Sequence, residues 1–240
     1  MSINPEQIKN YIADLASPDE EIQCRAEDAL IDARVTAVDA LIDAMKDPNP
    51  QVRFRAVWAL GKIGDSRAYP TIVELTHDPD SAVSYDAIMA LGELGDARAV
   101  EPLIELVRRY DEDEVPAGAA GNALAKIGKP AVGPLIEVLQ TGSNGAKSIT
   151  ARVLGGIGDK STVEPLAKLL VDSDEQLRIA AIEALAELGE EHPLVVGFEC
   201  LELIEERLSD PSTAVSDSAI YWNHVLRQTL GMPTSEDEEE

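Results

Sequence analysis

Residues 51–65, QVRFRAVWALGKIGD, return in variant form along most of the chain, and this repetition constrains the fold more than any other feature. The closing segment ALGKIGD (59–65) recurs as ALGELGD (90–96), ALAKIGK (123–129), VLGGIGD (153–159) and ALAELGE (184–190). The shared glycines, Gly64, Gly95, Gly128, Gly158 and Gly189, are 31, 33, 30 and 31 residues apart. A fixed period of that size marks a stack of small units, each too small to hide its own apolar face. The 240 residues therefore read as one continuous array.

Each unit contains two helices. The first opens the segments AVDALIDAMKDPNPQVRF (37–54), AYPTIVELTHDPDSAVSY (68–85), AVEPLIELVRRYDEDEVP (99–116), AVGPLIEVLQTGSNGAKS (131–148) and TVEPLAKLLVDSDEQLRI (162–179). Apolar residues there fall at helical spacing, as in Val100, Leu103, Ile104 and Val107. Pro70, Pro102, Pro134 and Pro165 recur near the helix start, where a missing N–H costs little. Breakers such as Asp47-Pro48-Asn49-Pro50 and Asp78-Pro79-Asp80 turn the chain and cap the second helix. That helix is predicted to bury Val52, Ala56, Ala59, Leu60 and Ile63 and to end at the glycine, in a left-handed conformation.

Departures mark the ends. Residues 1–36 read as an N-terminal capping unit, with Asn4 as cap, Pro5 in the first turn, and Ile8, Tyr11, Ile12 and Leu15 on one face. It keeps Ala26, Ala29 and Leu30 but lacks the Ile-Gly-Asp ending. Five regular repeats occupy 37–192. Residues 193–231 read as C-terminal capping helices, with 190–210 expected as one longer helix, and 232–240 as a disordered acidic tail. The third repeat is irregular, with Asp111, Glu112, Asp113 and Glu114 in its connection and Pro116, Gly118 and Gly121 in its second helix, so a softer joint is expected there.

Composition narrows the function classes. With 45 acidic against 20 basic residues the net charge is −25, and such a field repels phosphate backbones and anionic lipid heads. Nucleic acid and membrane insertion are therefore not expected. Lysine is scarce beside arginine while carboxylates are dispersed, the pattern expected of a salt-loving source. Cys24 and Cys200 lie at neither metal nor redox spacing, and either fits a small core position. No leader is visible at the N-terminus, and a cytoplasmic protein is expected.

The pattern A-V-x-P-L-I-x-L, breaker, V-R-x-x-A-x-x-A-L-x-x-I-G-D resembles the HEAT-like repeats of the phycobilin lyase type, over roughly residues 5–231. The resemblance implies an all-α, right-handed α-solenoid of about seven helical hairpins, its second helices lining a concave side. In such arrays the Arg after the Val bridges units; Arg53 and Arg178 keep it and Lys147 approximates it, whereas Ser84, Pro116 and Ser216 do not. The family includes lyase subunits and scaffolds or adaptors of prokaryotic signalling and motility systems.

On a second-helix face, the residues between buried positions are Phe54, Arg55, Trp58 and Lys62, then Tyr85, Asp86, Met89 and Glu93. Asn122, Ile149, Arg152 and, in the cap, Tyr221 continue the series, and Gly118 and Ala119 open a hollow. The chain has only two Trp, five Tyr and two Phe, yet three of these lie on this face of two adjacent repeats. Trp, Tyr and Arg are the residues that most often anchor interfaces. The predicted partner-binding set is therefore Phe54, Arg55, Trp58, Lys62, Tyr85, Asp86, Met89, Asn122, Arg152 and Tyr221.

Catalysis is not indicated. His77, His192 and His224 are isolated and read as solvated, the carboxylates recur on every solvent face, and no phosphate loop or nucleophile elbow appears. Related iron-dependent hydroxylases use His-Glu dipeptides, which this chain lacks. The expected function is a non-catalytic scaffold or adaptor for a protein partner with a basic surface, without cofactor or metal. The alternative is a bilin-lyase-like subunit acting on a tetrapyrrole–protein adduct. A repair glycosylase would need a basic cleft.

Overall fold

The computed structural model describes residues 3–110 and 114–233. Among them the chain is all-α, an array of seven successive helix pairs. These are α1 (Pro5–Asp14) and α2 (Glu20–Ala33), α3 (Val38–Ala44) and α4 (Pro50–Ile63), α5 (Tyr69–Leu75) and α6 (Ser81–Leu94), α7 (Val100–Arg108) and α8 (Glu114–Ile127). Then follow α9 (Val132–Thr141) and α10 (Asn144–Ile157), α11 (Val163–Ala167) and α12 (Glu175–Glu191), α13 (Phe198–Glu205) and α14 (Thr213–Thr229). Two compact units result, one of residues up to Leu103 with Asn122–Ile127, the other of Ile104–Gly121 with the residues from Gly128 onward.

Second helices pack on second helices. In the first unit α4 lies between α2 and α6, and in the second α12 lies between α10 and α14. The sequence permits this because the contacting positions are glycine and alanine. A β-carbon placed on Gly61 would lie 3.2 Å from the Ala90 Cβ, one on Gly92 2.8 Å from the Ala123 Cα, and one on Gly155 2.9 Å from the Ala184 Cα. Backbone thus meets backbone at Gly92 and Gly155, and Gly61 lies close against the Ala90 side chain. The predicted stripe Val100, Leu103, Ile104 and Val107 is buried, as are Val52, Ala56, Ala59 and Leu60. Ile63 is only half-buried, and Val57 joins the core.

Glycine and aspartate together make the link from one repeat to the next. Gly64, Gly95 and Gly158 end their helices left-handed, at φ of +73°, +62° and +71°. The following aspartate then caps a short 3-10 turn: Asp65, Asp96 and Asp159 accept from the N–H of Arg67, Arg98 and Ser161 at 3.0, 2.9 and 2.9 Å. Gly128, followed by Lys129-Pro130 rather than aspartate, keeps a positive φ but moves to ψ −134° and has no side-chain cap. In the opening pair Arg34 stands at the glycine position with φ +48° and ψ −127°, a conformation that strains any residue carrying a β-carbon.

At the other end of the helices, among the described residues, an arginine clamp recurs in both units. The Arg53 guanidinium donates to both oxygens of Asp78 at 2.8 and 2.7 Å and to the carbonyl of Asp47 at 2.9 Å. Arg178 repeats the arrangement with Asp210, at 3.1 and 2.9 Å, and with the carbonyl of Asp172 at 2.9 Å. Where serine replaces arginine, the Ser84 hydroxyl donates to the Thr76 carbonyl instead. The ladder of Arg–Asp pairs is discontinuous, as the sequence pattern anticipates.

Three expectations are corrected. Gly189 does not end its helix: α12 runs on through Glu190 and Glu191, both good helix formers, to stop at His192 before Pro193. Its missing side chain serves packing, because a β-carbon there would lie 3.0 Å from Leu226 and 3.2 Å from Cys200. Residues 190–210 are not one helix, since Pro193–Gly197 forms a π-helical turn before the eight-residue α13. Cys24 is exposed rather than a core residue, whereas Cys200 is buried and its thiol is pushed up to about 12 by desolvation. Asp111, Glu112 and Asp113 of the acidic connection, and the tail from 234, lie outside the described residues.

The seam and an open position on α8 predict opposite responses to the same change. Gly92→Ala is expected to lower stability by about 1–3 kcal/mol, because the added carbon meets backbone that cannot rotate away. Gly118→Ala, where a β-carbon would meet nothing within 4 Å, is expected to raise it by about 0.5–1 kcal/mol. Urea denaturation of both variants measures the pair, and equal signs would contradict this reading of the seam.

Candidate functional site

Helices α4 and α6 present the candidate site on the first unit. Because Gly61 and Ala90 bring these helices together, the side chains that follow on their solvent side converge on one hollow. Trp58, Gly61, Lys62, Tyr85, Asp86, Met89, Ala90 and Glu93 line a pocket of about 240 Å³. Trp58 and Tyr85 are 38% and 43% exposed, so both rings reach solvent. The Lys62 Nζ stands 5.8 Å from the Trp58 ring centroid, a cation–π contact. Glu93 pairs with Lys126, which holds its carboxyl below the usual range.

Asp86 is the exception among these charges. Its Oδ2 is covered and accepts no hydrogen bond, and burial alone pushes its carboxyl above the usual range. The sequence places this residue on the face but carries no signal that its Oδ2 is left without a donor.

The predicted residues are only partly brought together. Trp58, Lys62, Tyr85, Asp86 and Met89 share the pocket, whereas Phe54 is half-buried and outside its lining. Arg55 is turned inward. Its guanidinium pairs with Glu27 on α2 and donates to the Gln23 Oε1 at 2.6 Å, leaving the side chain 14% exposed. The alternation that puts Arg55 on the face does not reveal that Glu27 waits one repeat earlier, so Arg55 joins helices rather than receiving a partner. Asn122 is exposed in the same unit. Arg152 and Tyr221 are exposed in the second unit, where Tyr221 makes an edge contact with Trp222 at 5.1 Å.

Ile149 does not continue the face: it is buried and fills the space a side chain on Gly121 would take. Space is open over Gly118, but Ala119 is buried, so the expected hollow reduces to one position. Two histidines are likewise less free than expected. The half-buried His192 donates from Nε2 to the Gly158 carbonyl at 2.7 Å, tying the end of α12 to that of α10. His224, also half-buried, bonds Gln228 at 3.0 Å, and only His77 is exposed. Among the described residues, no group of three or more His, Cys, Asp and Glu could hold a metal ion. Nor is any described helix long and apolar enough to cross a membrane.

The Asp86 carboxyl yields a signed pH prediction. A folded-state pKa above the unfolded value means the folded chain binds the extra proton, so stability is lost as pH rises from about 4 through the raised value. Asp86→Asn is therefore expected to stabilise the protein by about 1 kcal/mol at pH 7, with the gain vanishing below about pH 4. Asp78 acts in the opposite sense: burial raises it, but the Arg53 guanidinium and the Asp80 N–H outweigh burial and hold it below the usual range. Its contribution is complete above about pH 4 and is lost as pH falls through its lowered pKa. Denaturant midpoints of wild type and Asp86→Asn between pH 3 and 8 test the difference; a gain independent of pH would refute it.

The family model of HEAT repeats matches residues 8–87, 70–146 and 132–221. No curated protein matches the sequence. Among solved structures, the chain is similar to the archaeal HEAT-like repeats protein from Thermococcus onnurineus NA1, at 15% identity over 95% of this chain and 100% of that one, with a TM-score of 0.60. It is more loosely similar to the complex of CpcE and CpcF of phycocyanin lyase from Nostoc sp. PCC7120, at 26% identity over 96% of each chain and a TM-score of 0.48. Human deoxyhypusine hydroxylase gives 19% identity over 94% of this chain and 96% of that one, with a TM-score of 0.42. The first likeness is one of fold. With its repeats matched from residue 8 to residue 221, the chain belongs to the HEAT-repeat family.

Proposed function

We propose that the chain is a non-catalytic scaffold or adaptor that holds a protein partner on the α4–α6 face. HEAT-repeat proteins generally serve as protein-binding scaffolds, and one observation supports this location: Trp58 and Tyr85 stand exposed beside a pocket that no side chain fills. Rigid aromatic rings bury much area on binding at low entropic cost. The net charge of −25 favours a basic partner and steers its approach. A place in a prokaryotic signalling or motility assembly belongs to the same reading, as does a cytoplasmic location. The lyase-type alternative is less well supported, because a pocket of about 240 Å³ lies below the usual size for drug-sized ligands, roughly 300–1,000 Å³.

Replacing Trp58 and Tyr85 together with Ala is expected to reduce capture of the native partner from lysate of the source organism by at least about tenfold. Helicity should be retained, because both side chains are part-exposed. Undiminished capture would remove this face from consideration, and a visible absorption band in purified protein would favour the lyase alternative.

We read the dispersed carboxylates as an adaptation to a salt-rich cytoplasm, where concentrated cations screen their mutual repulsion. Circular dichroism is expected to show helicity falling in dilute buffer and returning in molar KCl. Full helicity without salt would contradict the adaptation and leave the docking face unaffected.

A further inference from the structure

The reading above leaves open what the α4–α6 pocket takes, and Asp86 supplies the chemistry. Its carboxylate has one oxygen covered and unbonded, and no described lysine or arginine lies within ion-pair distance of it. A carboxylate oxygen removed from water without a donor is costly. The other charges around the pocket are accounted for. Glu93 holds Lys126, and Lys62 stands over the Trp58 ring rather than at Asp86. Arg55, the neighbouring cation on α4, is committed to Glu27 and Gln23. One acid therefore lacks a counter-charge, beside two exposed aromatic faces and the thioether of Met89.

Building on the protein-binding reading, the geometry points to an arginine side chain of the partner as the occupant of this pocket. Its guanidinium would stack on the Tyr85 ring while donating to Asp86, with its methylenes against Met89 and Trp58 at the pocket edge. Arginine suits the site better than lysine. Its guanidinium is planar and weakly hydrated, and it can stack on a ring and bond a carboxylate at once, whereas an ammonium acts as a strongly hydrated point charge. A volume of about 240 Å³ admits one such side chain. The surrounding negative field draws a basic segment towards it.

The test uses the full chain, in KCl sufficient for full helicity, with N-acetyl-arginine methylamide as probe. Trp58 indole and Met89 methyl signals are followed by NMR, the indole assigned through Trp222→Phe. Saturable shifts at millimolar probe are expected. They should weaken about tenfold with the neutral citrulline analogue and about tenfold in Asp86→Asn, and they should be weaker with the lysine analogue. Asp86→Asn removes a charge the fold leaves unpaired, so a folding defect is not expected to obscure the result. An absent response, an equal response to citrulline or lysine, or an undiminished response in Asp86→Asn would overturn the assignment. Failure of the probe while Trp58 and Tyr85 replacement still abolishes capture would reject arginine alone. Probe binding with unchanged capture would reject the docking face instead.

Discussion

Contact between successive second helices, backbone against backbone, is the constraint on which the rest of each unit depends. Gly92 and Gly155 meet the backbone of Ala123 and Ala184 with no room for another carbon, and Gly61 lies tightly against the Ala90 methyl. Helix axes in ordinary packing lie about 8–10 Å apart, and seams of glycine and alanine belong at the near end of that range. Side chains on either side of the seam are then pushed outward. On the apolar side they meet the first helices and form the core. On the polar side they stand together on one surface, which is why Trp58 and Tyr85, from different repeats, can border a single hollow.

The ends of the helices are held by directional bonds. Asp78 and Asp210 each accept from an arginine of the preceding repeat and from a backbone N–H two residues on, at Asp80 and Ser212. Each aspartate is thus shared between the turn it shapes and the neighbour it clamps. The two arginine side chains are 13% and 14% exposed and the two aspartates 4% and 3%, so these are part-buried pairs. Breaking one would leave an uncompensated charge behind, whereas a rim pair such as Arg25 with Glu21 is worth little.

The array itself was legible because its signals are local and repeated. Periodic Leu, Ile and Val mark the buried stripes, Asn4, Asn49 and Asp80 cap helices as their positions suggest, and the glycine before aspartate gives the turn. Legibility failed where a residue has two uses. Gly189 looks like its four counterparts, yet its lack of a side chain serves Leu226 and Cys200, and the helix continues because nothing stops it before Pro193. Arg55 shows the same limit at the site. Its place on the helix is periodic, but its orientation depends on Glu27, twenty-eight residues earlier, and no spacing rule pairs them. Asp86 is the converse, a surface residue by pattern whose covered Oδ2 is seen to lack a donor only when its neighbours are placed.

The close seam also rules a scale onto the surface it exposes. Within a unit, corresponding side chains on adjacent second helices recur about every 8–10 Å. An extended polypeptide advances about 3.3 Å per residue, so a strand laid across the helices would bring a new residue over each repeat after roughly three steps. Trp58 and Met89, at equivalent places in neighbouring repeats, would face ligand residues about three apart. Inserting a single residue between those two would carry the second past its mark, so the spacing of a bound segment would matter as much as its composition.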